Sequence, residues 1–223
     1  MFDAIAPDYD RLNHVLSFGQ DVLWRIAAAR RARLGAAEVA LDVGTGTGDL
    51  AFALLRRSGK GSRVVGLDLA SEMFDRSLQK AARRGLQERF EVVQGSVLHL
   101  PAPDASFDRV VSAFTLRNVA DLGRAFEEMR RVLRPGGRAV LLELSKPPGR
   151  LFGRLYRTYL YGVLPRAAYL LGGDRAAYAY LPDSLTPFPD AAALARQLQG
   201  AGFREVRYTL LTFGIAAIHE GMR

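Results

Sequence analysis

Hydrophobic and polar positions along the 223 residues fall into alternating short apolar runs and longer amphipathic stretches. EVALDVG (38–44), RVVGLDL (63–69), RFEVVQG (89–95), FDRVVSAF (107–114) and RAVLLEL (138–144) read as buried strands, each rich in β-branched or leucine side chains and bounded by polar or glycine residues. EVRYTLL (205–211) and IAAIHEG (215–221) add two more. Apolar residues at three- and four-residue spacing predict helices over 49–57, 71–84, 121–133 and 190–200. Strands alternating with helices predict a parallel sheet with helices on both faces. The last two strands are separated only by TFG, too short for a crossover, and are expected to pair antiparallel. Residues 147–188 carry no clear period and read as an irregular insertion leaving the carboxyl edge of the fifth strand.

Composition narrows the class. A chain that is 49% hydrophobic can bury the core of one α/β domain, so 1–223 is expected to form a single domain. No stretch approaches 18 consecutive apolar residues, and the opening MFDAIAPDYD carries acids where a secretory signal carries bases, which points to a cytoplasmic chain. Cysteine is absent, which excludes disulfides, thiolate zinc sites and cysteine nucleophiles. With only three histidines, no metal site is expected.

The net charge of +8 raises a nucleic-acid reading. The placement of the arginines argues against it. Arg56–Arg57, Arg83–Arg84 and Arg130–Arg131 with Arg134 sit just before helix-stop signals, where cations complement the negative end of the helix dipole.

The candidate chemistry begins at GTGTGDL (44–50), directly after the first strand. A dinucleotide fingerprint needs G-x-G-x-x-G, but its third glycine falls on Asp49; the spacing here is G-x-G-x-G. Asp68 closes the second strand about 20 residues on, where a carboxylate can accept ribose hydroxyls. The pair suits a cofactor with a ribose but no pyrophosphate better than it suits NAD.

LDVGTGTGDL, GLDLASEM, LPAPDASFDRVVSAFTLRNVAD and EEMRRVLRPGGRAVLLELSKP resemble the successive motifs of class I S-adenosylmethionine-dependent methyltransferases. More narrowly, YDRLNHVLSFGQDVLW (9–24) resembles the Y-D-x-M-N-x-x-L-S-F-G-x-H-x-x-W pattern of the quinone C-methyltransferases of menaquinone and ubiquinone biosynthesis, and RVLRPGGRAVLLELS and GIAAIHEGM are similar to other parts of that family. Leu12 replaces the family's Met, Asp21 its His, and Ser96-Val97 an Asn-Ala pair near the adenine. The resemblance implies a Rossmann-like, seven-stranded, mostly parallel sheet with a C-terminal antiparallel strand. It also implies an N-terminal helical lid over 1–34 and a substrate cap over 147–188.

It further implies S-adenosylmethionine as methyl donor, without a metal. Gly44, Gly46, Gly48 and Thr47 are then expected at the methionine end, Asp68 at the ribose, Ser96 and Val97 at the adenine, and Ala113 beside the cofactor. The reaction implied is C-methylation of a prenylated hydroquinone, most simply demethylmenaquinol; a ubiquinone-precursor benzoquinol or another lipid phenol is the nearest alternative. Arg117 is expected to stabilise a phenolate, with Asn118, Tyr9 and Asp10 as the other substrate-side candidates. A nucleic-acid methyltransferase is disfavoured, because AFTLRN follows the fourth strand in place of an N/D-P-P-Y/F motif. Arginines alternate with aromatic residues over 149–181, a composition suited to the headgroup level of an anionic membrane and hence to peripheral attachment.

Overall fold

The computed structural model describes residues 14, 17–164, 166 and 184–223. In chain order its elements are α1 (Gln20–Ala32), β1 (Val39–Val43), α2 (Asp49–Leu55), β2 (Arg63–Asp68), α3 (Glu72–Arg83), β3 (Phe90–Gln94), β4 (Phe107–Ala113), α4 (Leu122–Val132), β5 (Leu133–Leu144), α5 (Arg150–Thr158), α6 (Ala191–Gly200), β6 (Arg204–Leu211) and β7 (Ala216–Met222). The seven strands form one sheet in the order β3-β2-β1-β4-β5-β7-β6. β1 to β5 run parallel, and β7 lies antiparallel between β5 and β6. The order reverses between β1 and β4, so the crevice outside their carboxyl ends is where an open α/β sheet takes its ligand.

Period-two alternation divides the strands between two cores. Ala40, Val111, Val140 and Leu142 face a layer holding Trp24, Phe52, Leu54 and Leu55. Leu41, Val43, Val110, Ala139 and Leu141 face Phe126, Met129, Leu194 and Leu198. Helices α4 and α6 start where Asp121 and Asp190 cap them, accepting from the backbone N–H of Arg124 at 2.9 Å and of Ala193 at 2.7 Å. Helix α4 ends at Val132, since Pro135 cannot continue it, and β5 begins immediately at Leu133 rather than at 138. Its pairing with β4 slips between Phe107 and Arg109 and becomes regular from Arg138 on.

One stretch lies in the expected N-terminal helical segment and packs into the core, and another holds more structure than its sequence showed. Helix α1 buries Trp24, Ala28, Ala29 and Ala32 in the core, the small side chains allowing it to lie close to its neighbours. Within 147–188, expected to be irregular, α5 forms and runs on through a wider turn at Tyr159–Val163. Its buried stripe is Tyr156, Leu160 and Leu164, at i, i+4 and i+8, packed with Leu185. The flanking prolines and the basic and aromatic residues masked that period.

Several of the helix-end arginines have structural partners. Arg131 bridges Glu128 (2.9 Å) and Asp104 (2.7 Å), Arg134 pairs with Asp108, and Arg84 lies over the Phe52 ring at 5.0 Å. Glu128 also accepts the Leu100 N–H at 2.8 Å, so α4 and the loop before β4 are held by one buried carboxylate.

Candidate active site

The loop after β1 is built from left-handed turns. Gly44, Gly46 and Gly48 have φ of 67°, 51° and 85°, a region that costs glycine nothing. A Cβ on Gly44 would sit 2.2 Å from the Thr115 hydroxyl oxygen, and one on Gly48 would sit 2.6 Å from the Phe52 ring. The loop backbone can therefore pack against the exit of β4 only as glycine. Asp68 fastens the loop to the next strand, its Oδ2 accepting the Gly46 N–H at 2.8 Å and its Oδ1 the Ala70 N–H at 3.1 Å. A carboxylate has about four lone-pair sites, so acceptors remain for hydroxyls. Lys80, from α3, donates to Thr47 Oγ1 and Asp49 Oδ1, both at 2.9 Å, and ties the start of α2 in place.

These residues open onto a cleft of about 330 Å³ over the crevice between β1 and β4. Gly44, Gly46, Thr47, Asp68, Val97, Ala113 and Asn118 all line it. Gly48 and Ser96 do not. Gly48 turns the chain into α2, its N–H donating to Thr45 O, while the Ser96 hydroxyl accepts the Leu98 N–H and leaves Gly95 and Val97 as the wall there. Tyr9 and Asp10 lie outside the described residues.

Asp42 is a lining residue that pattern reading passed over, because it sits inside an apolar strand. It is fully buried; Thr45 donates to its Oδ2 at 2.9 Å, and Oδ1 has no protein partner. Burial pushes its carboxyl up to about 7, against the pull of the Thr45 hydroxyl, the Ala51 N–H and the Arg25 charge. A buried carboxyl on the cleft wall, with one oxygen unpaired within the protein, has an acceptor left for a donor from a ligand.

A second cavity, of about 520 Å³, adjoins the first. Its walls are largely apolar: Phe18, Trp24, Phe114, Leu144, Phe152, Tyr156, Leu160 and Ile215 among them, supplied by α1, α5 and the ends of β5 and β7. Arg25 and Phe114 line both cavities, the guanidinium standing over the ring at 5.0 Å from its centroid. The short turn Leu116–Asn118 after β4 sends Arg117 to the apolar cavity and Asn118 to the polar cleft. Arg117 is held by the buried Glu143 (2.8 Å) and the Phe114 carbonyl (2.6 Å), while its buried Nε has no partner. Glu143 also accepts the Arg117 and Leu144 backbone N–H groups.

A parallel sheet with a final antiparallel strand, a glycine loop after β1 and an acid after β2 define a methyltransferase that draws its methyl group from S-adenosylmethionine. The chain belongs to the ubiE/COQ5 methyltransferase family, whose profile matches residues 1–223. It is 49% identical over 223 residues to a demethylmenaquinone methyltransferase of Thermus thermophilus, covering all of both chains. It is 40% identical over 224 residues to a ubiquinone/menaquinone biosynthesis C-methyltransferase of Geotalea daltonii, covering 99% of this chain and 94% of that one. The fold is shared with a crystal structure of a SAM-dependent methyltransferase from Thermotoga maritima, with a TM-score of 0.70, 20% identity and 99% and 97% of the two chains covered.

Asp42 makes the cleft pH-sensitive. A carboxyl whose folded value lies above its unfolded one holds its proton more tightly when folded, so its contribution to stability is greatest at low pH and is lost as pH rises from 3.8 to about 7. In cofactor-free protein, the melting temperature of Asp42→Asn relative to wild type should therefore rise across this window. The expected size is several degrees, at about 2–4 °C per kcal/mol in a domain of this length. A pH-independent difference in scanning calorimetry would remove the assignment.

Proposed function

We propose that the protein methylates a ring carbon of a prenylated hydroquinone, demethylmenaquinol in the first instance, at the junction of its two cavities. The observation that carries this reading is that a polar cleft with a glycine loop and an apolar cavity meet at Arg25 and Phe114. One end suits a nucleoside with an amino-acid tail, and the other suits an aromatic ring with a hydrocarbon chain. The names borne by the two relatives support the same substrate class.

The cofactor, when bound, supplies a methyl group already activated by its sulfonium. The residues that suit it are on the cleft wall: Asp68 for the ribose hydroxyls, the unpartnered Asp42 oxygen and Thr47 for the amino-acid end, and Val97 with Ala113 for the adenine side. The protein's contribution to the chemistry is to align the acceptor carbon and keep water out. A quinol ring becomes nucleophilic at carbon when a hydroxyl loses its proton, and the Arg117 side chain, fixed by Glu143 with Nε unspent, presents a permanent positive charge to that oxygen. Asn118, on the cleft side of the same turn, orients donor against acceptor.

The apolar cavity opens through a greasy rim. Phe18 (81% exposed), Leu155 (65%) and Val163 are both exposed and part of its wall, and Phe213 (80%) packs on the wall residue Phe152 at 5.4 Å. Arg154 and Arg157 stand exposed beside Leu155 on α5. No described helix is long and apolar enough to cross a membrane. An apolar rim flanked by arginines suits the headgroup level of an anionic bilayer, the medium of a polyprenyl quinol.

Turnover tests the central reading: the protein should methylate reduced demethylmenaquinone in preference to a benzoquinol precursor, and equal indifference to both would refute it. Arg117→Ala should lower kcat by about 100-fold or more while leaving cofactor affinity within a few-fold. Asp68→Ala should do the opposite, weakening cofactor binding in calorimetry by roughly 10- to 150-fold through the loss of charge-assisted hydrogen bonds. If both variants lose cofactor affinity alike, the division of labour is wrong. The protein should also co-sediment with anionic vesicles, less so as salt is added, and Arg154→Glu with Arg157→Glu should abolish the association without touching cofactor binding. Wild type that ignores such vesicles at low salt has no bilayer face here.

A further inference from the structure

Methylating a quinol at carbon leaves one proton to dispose of, and the apolar cavity offers few places to put it. Among the described residues lining that cavity, the ionisable side chains are Asp21, Arg25, Arg117, Tyr156 and Tyr159. The arginines are permanently protonated. Burial pushes both tyrosine phenols up, so neither gives up a proton to become a base. Glu143 is behind Arg117, with its oxygens occupied by Arg117 and the Leu144 N–H.

Asp21 is different. It is nearly buried on the first turn of α1, and its Oδ2 is 2.7 Å from His14 Nδ1 and 2.5 Å from Arg25. Its Oδ1 accepts only the Ser17 hydroxyl, at 2.8 Å, and keeps a lone pair. His14 is 39% exposed at the side chain, so the contact runs from the cavity wall to solvent in a single step.

We infer that Asp21 and His14 form the exit path for the proton lost from the acceptor ring carbon. The inference rests on the quinol reading above. The ring enters as its monoanion, its hydroxyl proton left in solvent before binding, and reacts opposite Arg117. A ring-carbon electron pair forms the bond to the methyl group as the sulfur–methyl bond breaks, and that bond's electrons stay on sulfur. The carbon now carries both hydrogen and methyl, and the ring is a neutral dienone. Asp21 takes the hydrogen as a proton, the electrons of the C–H bond restore the aromatic anion, and that oxygen recovers a proton from water once the product has left the cavity. Asp21 passes its proton to Nδ1 of the neutral His14 ring, the imidazolium so formed releases one from Nε2 to solvent, and proton exchange with solvent returns the ring to its Nε2–H form. The net release is one proton per methyl group transferred.

The strength of the base fits this step and not the earlier one. Burial alone would raise the Asp21 carboxyl, but the Ser17 hydroxyl and the Arg25 charge, joined by His14 when its ring is protonated, hold it below its ordinary value. Such a weak base is poorly matched to a phenol, which is a weak acid, and well matched to a dienone C–H whose loss restores aromaticity.

The test uses demethylmenaquinol carrying deuterium at the carbon that is methylated. Wild-type turnover is measured first, so a wrong substrate reading shows there, whereas a wrong exit path shows only in the variant. Asp21→Asn should stay folded and bind cofactor within a few-fold of wild type, with a lower melting temperature because Arg25 loses its buried partner, yet turn over about 100-fold more slowly or worse. It should also show a primary isotope effect larger than that of wild type, because C–H cleavage has become limiting. Asp21→His, which keeps a proton acceptor at this position, should recover turnover relative to Asp21→Asn and lose that excess. In cofactor-free protein the His14 ring-nitrogen shifts should differ between wild type and Asp21→Asn. Unchanged turnover in Asp21→Asn, slow turnover without the larger isotope effect, or identical His14 shifts would each overturn the relay.

Discussion

The site depends on one close approach, that of the Gly44 backbone to Thr115 at the exit of β4. A side chain of any size at position 44 would occupy the space of the Thr115 hydroxyl, and the loop would have to lift away from β4. Because it does not, β1 and β4 can present their carboxyl ends side by side at the point where the strand order reverses. The chain leaving β4 then turns at once, through Phe114 in a left-handed conformation and the short turn Leu116–Asn118. That turn is why two adjacent residues, Arg117 and Asn118, serve two different cavities. The same geometry makes Phe114 a shared wall, with Arg25 over its ring.

Charge inside this region is arranged in compensated steps. Arg25 is paired with Asp21, Arg117 with Glu143, and Lys80 with Asp49. A charge paired in this way avoids most of the penalty of an isolated buried charge, so both signs of charge stand beside the two cavities with partners. Asp42 departs from this pattern: it is buried with one oxygen free and, instead of pairing, shifts its protonation. The net charge of +8 has little to do with the site, since several helix-end arginines are spent on carboxylates and carbonyls of the scaffold.

The strands were legible because a parallel sheet buried on both faces demands continuous apolar runs, and 38–44 or 138–144 have nothing else to be. The glycine loop and the position of Asp68 on the cleft wall were legible because close approach demands glycine and an acid closing the second strand falls at the carboxyl edge where the cleft lies. Asp42, Arg25 and Glu143 were not. Their meaning comes from what lies across from them: Thr45 and an open cleft for Asp42, Phe114 and Asp21 for Arg25, the Arg117 guanidinium for Glu143. No local spacing encodes such contacts between residues far apart in sequence. Helix α5 is an intermediate case, its four-residue stripe present in the sequence but obscured by arginines and tyrosines whose exposure only packing decides.

Trp24 is the only tryptophan of the chain. It is buried at the wall of the apolar cavity, its ring 6.2 Å from that of Phe114 and its indole N–H held by Thr212 at 2.9 Å, beside the exposed Phe213. The molecule therefore carries one optical reporter at the wall of the apolar cavity, with no second indole to dilute its signal. An aromatic ligand entering that cavity would change its emission directly, while events on the far edge of the sheet at β3 would leave it dark to them. Occupancy of the apolar cavity can be followed in real time on the unlabelled chain.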